Sequence, residues 1–204
     1  MEYNKSYKCR HCEENLSFEM INLGKNPASN SYLNITELDN SEKFYPLTVY
    51  VCKNCFLTQV PEYKSHQEIF NNEYAYFSSY SNSWLEHAFR YVEDITLELG
   101  LNQESFVTEI ASNDGYLLKN FIDKKIPCLG IEPTQNTALE AQKKGIETIT
   151  DFFSFALSKK LQKSDLIICN NVLAHVPDIN DFIKGLKNLL LPKGTITIEF
   201  PHLL

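Results

Sequence analysis

Four cysteines stand in two short pairs, Cys9-Arg10-His11-Cys12 and Cys52-Lys53-Asn54-Cys55, with residues 13–51 between them. Two Cys-x-x-Cys turns can set four thiolates tetrahedrally around one zinc ion, the intervening chain forming a folded insert. The interval is longer than that of an ordinary zinc ribbon, and redox pairs or unrelated buried thiols are the alternatives. A site closed by Cys9, Cys12, Cys52 and Cys55 has no open coordination position. It is therefore structural, the kind that holds together a small domain short of apolar surface. His11 is a spare donor that such a site does not need. Cys128 and Cys169 lie inside apolar runs and read as core.

A second constellation begins at "FVTEIASNDGYLLKNF", Phe106 to Phe121. A β-branched run carrying Glu109 is followed by a short polar turn and then a helix. Nucleotide-binding junctions of this kind are usually rich in glycine. Here Ala111, Ser112, Asn113 and Asp114 fill the turn, and only Gly115 remains. Asp114 would repel a pyrophosphate but could cap the helix. An acidic turn suits a ligand bearing an ammonium or sulfonium group, and S-adenosylmethionine bears both. Glu132, about twenty residues further on, ends the next strand, where a carboxylate can accept from both ribose hydroxyls. That spacing also serves a nicotinamide dinucleotide; the missing glycines and the acid favour S-adenosylmethionine. A solvated loop acid is the plain alternative for Glu132.

The elements that must position these groups follow two grammars. Residues 1–70 are rich in Asn, Ser, Tyr and Cys, with strand-like pieces at Phe44–Cys52 and Phe56–Val60. Residues 71–104 form a connector with a helix from Ser83 to Leu99, stopped by Gly100. From 105 to 204 strands and helices alternate. Strands are expected at FVTEI, PCLGIE, ETIT, SDLIICN and GTITIEF. Helices are expected at 115–123, 135–144, 153–161 and 179–190, with Pro192-Lys193-Gly194 turning into the last strand. The fold class is α/β, a doubly wound, Rossmann-like parallel sheet whose ligand sits at the carboxyl ends of its strands.

Composition narrows the partners. The chain has 204 residues, 43% of them hydrophobic, and a formal charge of -7. Its lysines are scattered among acids, so no clustered basic face for nucleic acid is expected. No apolar run is long enough to predict a membrane span, and no secretory signal opens the chain. The expected compartment is the cytosol, where cysteine pairs bind metal rather than oxidise.

Long stretches resemble a known family. "EIASNDGYLL", "LGIEPTQNTALEAQKKGIET", "NNVLAHVPDINDFIKGL" and "TIEFPHLL" are similar to S-adenosylmethionine-dependent C-methyltransferases of the deoxysugar-nucleotide type. The four cysteines, "YPLTVYVC" and "YAYFSSYSNSWLEHA" extend the resemblance over nearly the whole chain. It implies a zinc-binding N-terminal domain, a class I methyltransferase domain and a further C-terminal domain. It also implies an acceptor: a nucleotide-linked 4-keto sugar methylated on a ring carbon beside the carbonyl.

The resemblance assigns residues as well. Glu109 and the loop of Ala111, Ser112, Asn113 and Gly115 would approach the methionine part of the cofactor. Glu132 would hold the ribose. Asp151 and Phe152 would lie near the adenine, Phe152 and Phe153 being equally readable as core. Asn170 and Asn171 would border the methionine part and the acceptor. Tyr76 to Ser79 would form a wall of the site, and His175 and Tyr76 would polarise or position the sugar. A proton leaves the carbon next to the carbonyl, and the enolate so formed attacks the sulfonium methyl.

The family's strongest base candidate lies in a Tyr-His-Glu-His stretch after "EFPHLL". The strand TITIEF is therefore expected to be an open edge, covered by a C-terminal domain or a second chain. The isolated chain is expected to bind cofactor weakly and to be inactive alone. Two other classes remain open: a non-catalytic zinc-bearing scaffold, and an RNA or protein methyltransferase using the zinc domain as a reader.

Overall fold

The computed structural model describes residues 7–70 and 75–201. The chain divides into two compact units, Met1–Ile69 with Pro177–Asn180, and Phe70–Val176 with Asp181–Leu204. The connector expected at 71–104 belongs to the second unit; its residues 71–74, and the His202–Leu204 end of "TIEFPHLL", lie outside the described residues.

The first unit is built from two hairpin turns. Strands β1 (Tyr7–Lys8) and β2 (Asn15–Leu16) pair antiparallel across the first cysteine turn. Strands β3 (Phe18–Pro27), β4 (Phe44–Val51) and β5 (Thr58–Gln59) form an antiparallel sheet, and the second cysteine turn joins β4 to β5. A short helix, α1 (His66–Ile69), follows. The strand expected at Phe56–Val60 is shortened because the turn consumes its start: Phe56 adopts φ 63° and its N–H returns to the Cys52 carbonyl. The buried hydrophobic cluster here is Cys9, Leu16 and Cys52, with Tyr7, Tyr50 and Leu57 packed around it. All ten residues of β3 are exposed. So small a core cannot hold a domain by apolar burial alone, and a crosslink at the cysteines is the physical remedy.

The second unit is the expected α/β fold. Its elements are α2 (Asn82–Leu99), β6 (Val107–Ile110), α3 (Leu118–Asp123), β7 (Cys128–Ile131), α4 (Gln135–Lys143), β8 (Thr148–Ile149), α5 (Phe155–Ser158), β9 (Ser164–Asn170), α6 (Ile179–Leu189) and β10 (Leu190–Glu199). The five strands form one parallel sheet in the order β10-β9-β6-β7-β8. The winding runs outward from β6 to β8 and then reverses to β9, so the switch point falls between β6 and β9. Strand β9 shows why both faces are covered. Leu166 and Ile168 join the cluster of α2 and α3, while Ile167 and Cys169 join that of α6.

Helix α2 buries Ala88, Val92 and Ile95, one stripe of the helix. Ser81 accepts the Trp84 N–H at 3.3 Å at its start, and Gly100, at φ 64°, closes its end. Three expected elements change. The helix predicted from Gly115 begins only at Leu118, because residues 113–117 are spent in turns; Leu117 is its N-cap residue without a side-chain bond, so Asp114 is not the cap. The helix predicted over 153–161 shrinks to Phe155–Ser158, capped by Ser154, which accepts the Leu157 N–H at 3.2 Å. Pro192-Lys193-Gly194 lies within β10, where the register against β9 jumps between Leu190 and Thr195. A β-carbon on Gly194 would sit 2.9 Å from the Ser164 carbonyl, so this approach needs glycine. Among the described residues no helix is long and apolar enough to cross a membrane.

Candidate functional site

The four paired cysteines converge. Their sulfur atoms all lie within 4.8 Å of one another, with Cys9 to Cys55 at 3.6 Å and Cys12 to Cys52 at 3.5 Å. A tetrahedral zinc ion with Zn–S bonds of about 2.3 Å sets its sulfurs about 3.8 Å apart, so the group fits that ion. Both turns use the same device: the residue after the second cysteine, Glu13 or Phe56, takes a left-handed φ of 61° or 63°. Gln59 braces the cluster from behind, its Nε2 donating to the Cys9 sulfur at 3.2 Å while its Oε1 accepts the Arg10 N–H at 3.0 Å. Burial tends to raise the Cys9 thiol, but the backbone N–H groups of Cys12 and His11 and the Gln59 amide outweigh it and lower it to about 6. The Leu57 N–H favours the Cys55 thiolate, yet burial and the three neighbouring sulfurs push that thiol up to about 12. Four thiolates cannot coexist so close together without a cation among them. His11 is not in the group.

Parallel strand order brings the remaining expected residues to one end of the sheet. Ala111 to Gly115 follow β6, Glu132 follows β7, Asp151 and Phe152 follow β8, and Asn170 and Asn171 end β9. The loop after β6 keeps the backbone of a glycine-rich turn without its glycines. Ala111, Asn113 and Gly115 have φ of 59°, 50° and 74°, all left-handed. The low glycine count therefore does not by itself exclude a phosphate.

The charges discriminate better. Asp114 is not directed at a ligand alone: its Oδ2 faces Lys144 Nζ at 3.3 Å and accepts the Ser79 hydroxyl, and Lys144 also donates to the Asp114 carbonyl at 2.6 Å. Glu109 is different. It is 0% exposed, its carboxyl oxygens make no hydrogen bond of full geometry among the described residues, and the Tyr116 phenol is the side chain that favours its charged form. Burial, and then the charges of Glu132 and Asp114, push its carboxyl well above the usual carboxylate range. Ser112 Oγ and Asp114 Oδ1 are buried without partners among the described residues. Three buried acids share one lysine here, so an ammonium-bearing sulfonium ligand would relieve their repulsion, whereas a diphosphate would add to it.

Glu132 is 4% exposed and already engaged. Its Oε2 accepts the Asn113 N–H at 2.9 Å, and its Oε1 accepts the Thr134 N–H at 2.9 Å and the Thr134 hydroxyl. This fixes the carboxylate at the end of β7, with lone-pair capacity left chiefly on Oε2. Gly130 in β7 makes room for Ser112, since a β-carbon there would lie 2.5 Å from Ser112 Oγ.

The other expected residues are placed as follows. Asp151 is exposed and its Oδ1 accepts the Phe152 N–H at 2.7 Å; Phe152 is half-buried, while Phe153 packs edge-on against Phe182 at 5.4 Å in the core. Asn170 is half-buried, and exposed Asn171, at φ 53°, donates its N–H to the Glu199 carbonyl at 2.7 Å. His175 is exposed in a short turn past β9, its ring edge-on to Phe70 at 5.9 Å. Tyr76 is 50% exposed, and its carbonyl accepts Asn113 Nδ2 at 3.2 Å. Sequence reasoning did not assign Lys144 or Thr134. Thr134 was open to inference as a side-chain turn two residues after an acid; Lys144 carried no local signal.

Comparison with known proteins gives separate matches for two stretches of the chain. Residues 9–70 match a family described as "Putative zinc binding domain", and residues 108–196 match one described as "Methyltransferase domain". A C-methyltransferase, NovU, from Streptomyces niveus is 27% identical over 200 residues, covering 96% of this chain and 47% of its own length. The chain thus spans about half the length of that curated relative. Among solved structures, a sugar N-methyltransferase from a Streptoalloteichus species superposes with a TM-score of 0.47 at 16% identity, covering 56% of this chain and 47% of that one. An S-adenosylmethionine-dependent methyltransferase from Clostridium acetobutylicum gives 0.45 at 19%, covering 56% and 49%. The second unit thus carries a match to a methyltransferase domain, and the first a match to a zinc-binding domain around a four-cysteine group able to hold a metal ion.

Proposed function

We propose that this chain is the donor-binding part of an S-adenosylmethionine-dependent C-methyltransferase whose acceptor is a nucleotide-linked keto-deoxysugar. The observation that carries the donor reading is Glu109, a fully buried carboxyl in β6 that faces the acids Glu132 and Asp114 and has only the Tyr116 phenol to favour its charge. When bound, S-adenosylmethionine supplies an electrophilic methyl group on a sulfonium centre.

The chain's residues then have defined tasks. Glu109 supplies the counter-charge for the ammonium end. Glu132 holds the ribose through its remaining acceptor capacity, and Thr134 keeps that carboxylate in place. Asp151 and Phe152 lie beyond β8 for the adenine, and Asn170 and Asn171 border the transferred methyl. His175 and Tyr76 stand on the acceptor side, to polarise the sugar carbonyl and exclude water while an enolate forms. The four-cysteine site has no free position for a substrate, so zinc maintains the first unit and takes no part in the reaction. The similarity to a C-methyltransferase supports transfer to carbon, and the charge of -7 supports a sugar acceptor over an RNA.

The acceptor is tested by titrating the S-adenosylhomocysteine-loaded chain with a nucleotide-linked 4-keto sugar and, separately, with single-stranded RNA. Saturable binding of the sugar alone is expected. Binding of the RNA alone would assign the acceptor to nucleic acid instead.

A further inference from the structure

The residue at 113 does more than a loop glycine could. Its φ of 50° is one that glycine adopts freely and most side chains resist, asparagine being among the tolerant. Yet the side chain is 8% exposed and both ends of its amide are committed. Oδ1 accepts the Ser78 N–H at 2.9 Å, and Nδ2 donates to the Tyr76 carbonyl at 3.2 Å. Asp114, next in the chain, holds the Ser79 hydroxyl. Two consecutive loop residues thus grip the backbone and side chain of the segment from Tyr76 to Ser79. The Asn113 N–H donates in turn to Glu132 Oε2 at 2.9 Å.

From these contacts we infer that Asn113 is a positioning residue that couples the donor-binding acid Glu132 to the segment carrying Tyr76. The inference depends on the donor reading given above. A ribose hydroxyl at Glu132 competes for, or adds to, the same oxygen that receives the Asn113 N–H. Any shift of that N–H is carried through a short, buried amide to the carbonyl of Tyr76 and the N–H of Ser78. A glycine at 113 would keep the loop's conformation and lose this link. The cost of a side chain in left-handed backbone is offset by two hydrogen bonds that a glycine could not make.

Asn113→Gly is the natural test because the backbone already has a glycine-like φ, and Asn113→Asp retains the acceptor for Ser78 while losing the donor to Tyr76. Hydrogen exchange of the 75–80 region is measured for wild type and both variants, with and without S-adenosylmethionine, and donor affinity is measured by calorimetry. In the wild type, donor binding is expected to slow exchange at 75–80. In Asn113→Gly that region is expected to exchange about tenfold faster and to show no further slowing when the donor binds. Asn113→Asp should restore part of the protection at Ser78. Donor binding to all three proteins with identical exchange at 75–80 would overturn the coupling alone. No donor binding to the wild type would overturn the coupling together with the donor reading.

Discussion

A β-carbon on Gly115 would stand 2.3 Å from Ile146 Cδ1 and 3.1 Å from the Ala141 β-carbon. That contact explains why one glycine survives in a turn that has lost the others. Ala111 and Asn113 share its left-handed backbone and carry side chains there, whereas a β-carbon on Gly115 meets Ile146 and Ala141. Gly115→Ala is therefore expected to lower stability by about 2–4 kcal/mol, combining overpacking with backbone strain. Ala111→Gly should change it by less than about 1 kcal/mol, because relief of strain and added chain entropy oppose each other. Denaturant midpoints check both.

Glu109 sets a pH dependence whose sign follows from its surroundings. Its folded carboxyl titrates well above the usual range, because of burial and then Glu132 and Asp114. The phenols of Tyr91 and Tyr116 and the thiols of Cys128 and Cys169 also feel its charge, and burial chiefly raises each of them. Its stabilising contribution is thus complete at pH values below the unfolded carboxylate range and is lost as pH rises through its folded value. Glu109→Gln should flatten that decline and stabilise the ligand-free protein above it, while weakening donor binding tenfold or more, on the order of 1.4 kcal/mol. Donor titrations in buffers of different ionisation enthalpy should show proton release from the wild type and none from the variant.

Metal removal should act on the first unit only in its structure. Metal analysis is expected to find one zinc ion per chain, and Cys52→Ala to abolish it, because three thiolates leave the tetrahedron open beside a buried Cys9. Loss of the far-ultraviolet signal of the hairpins on chelation, with donor binding retained, is the expected readout.

Glu132→Gln replaces an acceptor of three hydrogen bonds by an amide that must turn a donor toward Asn113 or Thr134. A loss of about 1–3 kcal/mol of stability is expected, together with at least tenfold weaker donor binding. Thermal denaturation and calorimetry measure the two effects separately.

The middle of the sheet was legible because β6, β7 and β9 are buried on both faces and so read as nearly continuous apolar runs, Leu166 to Cys169 being the clearest. The cysteine group was legible because the Cys-x-x-Cys spacing is itself the geometry of a knuckle. The start of α3 was not, since a left-handed Gly115 and the turns around it delay the helix without altering the apolar period. Nor was the role of Asp114. Its partners Ser79 and Lys144 are 35 and 30 residues away, and only the folded chain brings them to it. Glu109 was legible as a strand acid on the cofactor side; its complete burial beside Glu132 and Asp114 was not.

Calorimetric titration of the zinc-loaded chain with S-adenosylmethionine and with nicotinamide adenine dinucleotide puts the charge of this site to the test. Stoichiometric binding of S-adenosylmethionine, weakened at least tenfold in Glu109→Gln, and no heat from the dinucleotide are expected. Binding of the dinucleotide that blocks S-adenosylmethionine, undiminished in Glu109→Gln, would contradict the assignment of a buried acid to a cationic methyl donor.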